Sequence, residues 1–246
     1  LFNLGNLFVH QKKYSAAIPF FRTAVSRSPQ STEILLNLSA ALIHLHEYPE
    51  ALTLLDQLIQ LQPDSKEAWT SRGVAFSGLK QLENALLCFD RAHAIAPNDV
   101  TLMISRNAAL NRLKHFTLAR ESLKQLVKDF PNDAEAFCEL GNSYLGLRQI
   151  ELAQDAYLEC LRIAPENASA LTNLGAVQSR LGMHNEALDY HKKAVNLDPY
   201  NATAFYNLGM TLQALGRTDE SVTSFSKAIH LDHGFTEPYL GRASVY

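Results

Sequence analysis

The sequence predicts an all-α chain, a solenoid of repeated helix pairs, and three observations predict it. Prolines stand at Pro29, Pro63, Pro97, Pro131, Pro165 and Pro199, every interval being 34 residues with no insertion or deletion. Small residues recur in two columns at the same spacing. One runs Gly5, Ser39, Gly73, Asn107, Gly141, Gly175 and Gly209, the other Ala17, Ala51, Ala85, Ala119, Ala153, Ala187 and Ser221. Large apolar residues hold a third column at Phe21, Leu55, Phe89, Leu123, Tyr157 and Phe225, with His191 as the exception. A fixed period of this length marks an architecture in which each unit buries its apolar face against its neighbours.

Each repeat reads as two helices. Residues 32–45 and 49–62 show apolar spacings of three and four, a short break, then the same again. Two residues past each proline stands Ser31, Ser65, Asp99, Asp133, Asn167 or Asn201. All six suit an N-cap, because a side-chain oxygen there accepts from the free N–H groups of the new helix. Glu33, Glu67 and Glu135 follow in the first turn, where the helix dipole favours negative charge. The proline ends the preceding helix. At the seventh boundary His233 replaces the proline, and the cap is expected to shift to Thr236. The array therefore spans residues 1–246 as a single solenoid of seven near-complete repeats, with approximate ends at 31, 65, 99, 133, 167, 201 and 235, plus the opening of an eighth. The first residues, LFNLGNLF, already read as helix interior, so the expectation is a segment of a longer chain.

The small columns have a mechanical reason. Two helices approach closely only where side chains are short, and a ring from the second helix fills the space beside the glycine. Repeats two and four depart from the columns together: the ring becomes Leu55 or Leu123, and the alanine three residues on becomes Leu58 or Leu126. Volume is conserved, as a packed core requires.

These columns resemble the tetratricopeptide repeat, a 34-residue helix–turn–helix unit. In repeat five the signature is Phe137, Leu140, Gly141, Tyr144, Ala153, Tyr157 and Pro165; in repeat three it is Trp69, Gly73, Phe76, Ala85, Phe89, Ala92 and Pro97. Repeat four matches least, with Met103, Arg106 and Asn107. The resemblance implies a right-handed superhelical solenoid with the first helix of each pair lining its concave face.

Composition narrows the function. The chain is 47% hydrophobic and 19% charged with a net charge of −3, and no basic run stands out, which argues against nucleic acid as a partner. No apolar stretch reaches the ~18 residues of a membrane span. Cys88, Cys138 and Cys160 are odd in number and scattered, fit small half-buried positions better than a disulfide framework, and favour a reducing, cytoplasmic setting. No phosphate loop, GxGxxG, HExxH or GxSxG is present, so no catalytic residue and no cofactor are expected. His10 and His44 share one slot and His230 and His233 lie three apart, but neither pair has a third ligand, and no metal is expected. Arg72, Arg106 and Arg242 share a slot near the helix interface, where the stem packs while the head reaches water. Asn37, Asn167 and Asn201 stand in N-x-S/T sequons, two of them at helix caps.

Asparagine is the residue that no apolar core needs. It precedes the leucine of the NLG or NLS phrase at Asn3, Asn37, Asn173 and Asn207, although its amide competes for backbone partners inside a helix. Repeats three, four and five put Ser71, Ser105 and Glu139 there, and Asn6 and Asn142 occupy the slot three residues later. Helix geometry places these slots on one stripe, shared with Glu33, Ala40 and His44 in repeat two and Thr203, Met210 and Ala214 in repeat seven. The stripe is polar or small and offset from the packing columns. Two readings of it stand open: a ladder of amides pairing with the backbone of an extended peptide, or amides that bond the neighbouring helix. The NLG phrase also resembles the tetratricopeptide region of O-linked N-acetylglucosamine transferases, which implies recruitment of substrate proteins by an arm whose catalytic domain lies outside this chain. The co-chaperone variety that clamps acidic tails would place lysine before the asparagine, where this chain has Phe2, Leu36, Thr172 and Tyr206.

The expected function is a protein-interaction scaffold that binds an extended peptide or partner segment along Asn3, Asn6, Asn37, Asn142, Asn173 and Asn207. The alternatives are the recruiting arm of a glycosyltransferase and an element that self-associates end to end.

Overall fold

The computed structural model describes residues 1–245, and every regular element among them is helical. They form two compact units, the first covering Leu1–His115 and the second beginning at Phe116. The first unit contains α1 (Phe2–His10), α2 (Tyr14–Arg27), α3 (Thr32–His44), α4 (Tyr48–Leu61), α5 (Lys66–Gly78), α6 (Leu82–Ile95) and α7 (Val100–Arg112). The second contains α8 (Phe116–Asp129), α9 (Ala134–Gly146), α10 (Ile150–Ile163), α11 (Ala168–Arg180), α12 (His184–Leu197), α13 (Ala202–Ala214), α14 (Thr218–Leu231) and α15 (Glu237–Ala243). In both units consecutive helices pack as hairpins stacked in chain order. The first helices also touch each other, α1 with α3 and α5 with α3 in one unit, α9, α11, α13 and α15 in sequence in the other.

The predicted caps sit where the spacing put them. Ser65, Asp99, Asp133, Asn167 and Asn201 each accept, through the side chain, the N–H three residues on, at 2.9–3.2 Å. Ser31 takes the same extended backbone, but its hydroxyl makes no cap bond. The late restart occurs at Thr236, with Pro238 in the first turn of α15, but Thr236 has right-handed helical backbone and its hydroxyl makes no cap bond, so the expected cap does not form.

Within each repeat the break is one left-handed residue. Lys12, His46, Lys80, Lys114, Arg148, Gly182 and Gly216 all have φ between 57° and 80°. The next residue donates its N–H back to the carbonyl five residues earlier, as Gln81 does to Phe76 at 2.9 Å and Met183 to Gln178 at 2.9 Å. This is the Schellman closure, which satisfies carbonyls the helix end leaves free.

The ring-on-glycine packing is as the columns require. A Cβ added to Gly5, Gly73, Gly141, Gly175 or Gly209 would stand 2.5–2.7 Å from the ring of Phe21, Phe89, Tyr157, His191 or Phe225. In repeats two and four Leu55, Leu58, Leu123 and Leu126 are fully buried. The core is a string of clusters, each bridging one hairpin and the next. One joins Ile18 and Phe21 to Leu38, Leu42 and Ala51; another joins Cys138, Tyr157 and Cys160 to Leu174 and Val177. The three cysteines are free and buried rather than half-buried, because their small side chains fill helix contacts. A hydrogen bond with Cys160, together with burial, pushes the Cys138 thiol well up.

Candidate functional site

The stripe lies on the first helices of the hairpins and borders three cavities. In the first unit Asn37, Ala40, Lys66, Thr70 and Ser71 line a cavity of about 380 Å³. In the second unit Glu135, Glu139, Asn142 and Asn173 line one of about 280 Å³, and Ala176, His191, Asn207, Met210 and Ala214 line one of about 410 Å³.

The asparagines divide into two sets. Asn37 Nδ2 on α3 donates to Asn6 Oδ1 on α1 at 3.0 Å. Asn173 Nδ2 on α11 donates to Asn142 Oδ1 on α9 at 2.8 Å. The Asn142 oxygen also accepts from the Tyr157 hydroxyl at 2.7 Å, and burial pushes that phenol up. So where the three-after slot holds asparagine, the amide of the next repeat pairs with it. Asn207 faces Ala176 in that slot and makes no side-chain hydrogen bond among the described residues. Asn3 is exposed on α1, the first helix of the described residues.

Charges near the stripe are mostly satisfied locally. Lys66 bonds Asp99 at 2.8 Å, and Lys66, with the Leu102 N–H, holds that cap carboxylate below its ordinary range. Arg72, Arg106 and Arg242 each reach the residue sixteen positions back: Asp56 at 2.8 Å, Asp90, and Ser226 at 3.2 Å. All three sequon amides are engaged internally, Asn37 with Asn6, Asn167 and Asn201 as caps. His44 stacks on Tyr14 with ring centroids 4.1 Å apart, and His230 meets His233 edge-on at 6.4 Å. Among the described residues no three potential metal ligands cluster, and no helix is long and apolar enough to cross a membrane.

Three family models, each describing a tetratricopeptide repeat, match residues 8–73, 132–199 and 192–223. The chain belongs to the tetratricopeptide-repeat family. Tetratricopeptide-repeat proteins generally mediate protein–protein interaction. Solved structures of the family share the fold. A thermophilic tetratricopeptide-repeat protein of Thermus thermophilus is 23% identical, matches 74% of this chain and 98% of its own, and superposes with a TM-score of 0.66. A tetratricopeptide-repeat protein from Parabacteroides merdae is 13% identical over 99% of this chain and 96% of its own, with a TM-score of 0.81. YrrB, a tetratricopeptide-repeat protein with an unusual peptide-binding site, is 21% identical over 75% of this chain and 95% of its own, with a TM-score of 0.54. No curated protein sequence matches the chain.

One residue of the site escaped the sequence reading. His191 departs from the large apolar column of this tetratricopeptide-repeat chain, and it forms part of the wall of the 410 Å³ cavity. The imidazole is fully buried, neither ring nitrogen has a partner among the described residues, and burial lowers its pKa to about 4. The signal was present: Tyr157 becomes His191 and Asn142 becomes Ala176 in the same step from repeat five to repeat six.

Proposed function

We infer that the chain is a protein-interaction scaffold whose first helices hold an extended segment of a protein partner by its backbone. The observation that carries this reading is the Asn207 amide, half-buried beside a cavity and bonded to nothing among the described residues. A carboxamide offers a donor and an acceptor together, as a peptide unit does, so it pairs with main chain of any sequence. Asn37 supports the reading with what its bond to Asn6 leaves over, a second N–H and a carbonyl oxygen. Packed helices lie about 10 Å apart and an extended chain advances about 3.3 Å per residue. One such side chain would therefore meet about every third residue of the partner. The peptide-binding site named for YrrB supports a peptide as occupant.

Asn207→Ala is the clean test, because it removes no bond internal to the described chain. Its affinity for several unrelated unstructured peptides should fall by about 0.5–1.5 kcal/mol, one net hydrogen bond. The loss should be similar for each peptide and leave the melting temperature unchanged. Titration calorimetry on wild type and variant, with circular dichroism as the fold control, reads both. Affinities that do not move with the fold intact would remove Asn207 from the binding site.

A further inference from the structure

Because the repeats are built alike, a group missing from one of them stands out against its neighbour. In repeat five the Asn142 carbonyl oxygen is a hub that accepts from the Tyr157 hydroxyl at 2.7 Å and from Asn173 Nδ2 at 2.8 Å. The corresponding residues 34 positions on are Ala176, His191 and Asn207. The acceptor is gone and both donors remain.

His191 lies on Gly175 as Tyr157 lies on Gly141. A Cβ on Gly141 would stand 2.5, 2.7 and 2.9 Å from Tyr157 Cε1, Cδ1 and Cζ; on Gly175 it would stand 2.6, 2.7 and 2.9 Å from His191 Cε1, Nδ1 and Nε2. Nε2 therefore takes the place of Cζ, the carbon whose hydroxyl reaches the hub in repeat five. Ala176, His191 and Asn207 all line the 410 Å³ cavity. The ring is fully buried, and its nitrogens are without partners among the described residues. Ser179 and Thr211 also line this cavity, their hydroxyls 3.0 Å apart and bonded to each other. Ala176, Met210 and Ala214 supply apolar wall.

We propose that this cavity is a subsite for a carboxamide side chain of the bound partner, a glutamine or asparagine whose carbonyl oxygen replaces the Asn142 acceptor of repeat five, displaced toward His191 because the imidazole lacks the phenol's hydroxyl. The oxygen accepts from Asn207 Nδ2 and from His191 Nε2–H, and the carboxamide N–H₂ pairs with the Asn207 oxygen or the hydroxyls. Ala176 and Met210 cover the methylene stem. A neutral carboxamide matches a neutral buried imidazole, whereas a carboxylate would lose its hydration beside a lining whose one permanently charged residue, Arg180, is exposed. The partner's path along the first helices rests on the function proposed above, but the chemistry of the pocket is tested apart from it.

The experiment uses the chain labelled with ¹⁵N at histidine and at the asparagine side chains. The probes are the N-acetyl amides of glutamine, glutamate and leucine. The glutamine probe should shift His191 Nε2 and Asn207 Nδ2 saturably, with an affinity about tenfold above the other two, as two added hydrogen bonds give. Ala176→Asn rebuilds the hub of repeat five, so it should raise the melting temperature and abolish this response. His191→Phe keeps the column filled, as Phe225 does, and should reduce the response read at Asn207. Equal shifts with all three probes would report main-chain capture alone and overturn the pocket, as would preference for the glutamate probe. No saturable shift at His191, or an unchanged response in Ala176→Asn, would overturn it too.

Discussion

His191 holds a slot that six other repeats give to an aromatic ring or a leucine. Its pKa is lowered to about 4 by burial, against about 6.5 for a free histidine. As pH falls below about 6.5 the unfolded chain takes up the proton first, and folded stability declines until about pH 4, where both states are charged. Above that window the two states hold the same protons and the group is silent. The full loss amounts to about 3 kcal/mol. Urea titrations between pH 7 and pH 4 should show His191→Phe losing less stability than wild type by about that amount. Parallel curves would mean that the imidazole reaches water or a partner in the folded state. A second residue-scale effect is the ring on glycine. Gly141→Ala would drive a methyl into the Tyr157 ring at 2.5 Å, and overpacking of this kind costs about 1–3 kcal/mol in chemical denaturation. A Gly141→Ala variant as stable as wild type would show that the ring has room to move. The slots of Asn142 and Asn173 were legible as one stripe, because helix geometry fixes which residues share a face. Their mutual hydrogen bond was not, because it depends on the rotation of two side chains on different helices. The unpaired state of Asn207 followed from the same missing information.

At the scale of the elements, boundaries were the most legible feature. Proline, cap and first-turn acid recur at fixed offsets, and five of the six caps make the bond their residue type suits. The turn inside each repeat was read only as a break. Its left-handed residue is glycine in two repeats but lysine, histidine or arginine in the other five, so composition gave no sign of a shared conformation. The side chains there are tolerated at a cost, since a residue with a Cβ loses about 1–2 kcal/mol in this region relative to right-handed backbone. Lys80→Gly should therefore stabilise the first unit by up to about 1 kcal/mol, and Gly182→Ala should destabilise the second by about as much. Denaturant midpoints with unchanged slopes would bear this out; shifts of the opposite sign would mean that the turns carry compensating side-chain contacts.

For the whole molecule, the 34-residue register predicts the hairpins that stack within each unit, because a repeat that cannot bury its own face must present the same columns to each neighbour. Function was less legible for the same reason: residues kept for stacking dominate the pattern, and the stripe departs from it only in amides, hydroxyls and a few charges. The net charge of −3 and the local pairing of the arginines leave hydrogen bonding as the stripe's main resource. Whether the stripe holds peptide backbone is therefore the question on which the function turns. It is answered by titrating the chain, ¹⁵N-labelled at asparagine side chains, with three unstructured peptides of unrelated sequence. Saturable shifts of the Asn207 amide, and smaller ones of Asn37, are expected with every peptide. Binding that leaves these amides unmoved, or that moves only residues of the second helices, would contradict backbone capture by the stripe.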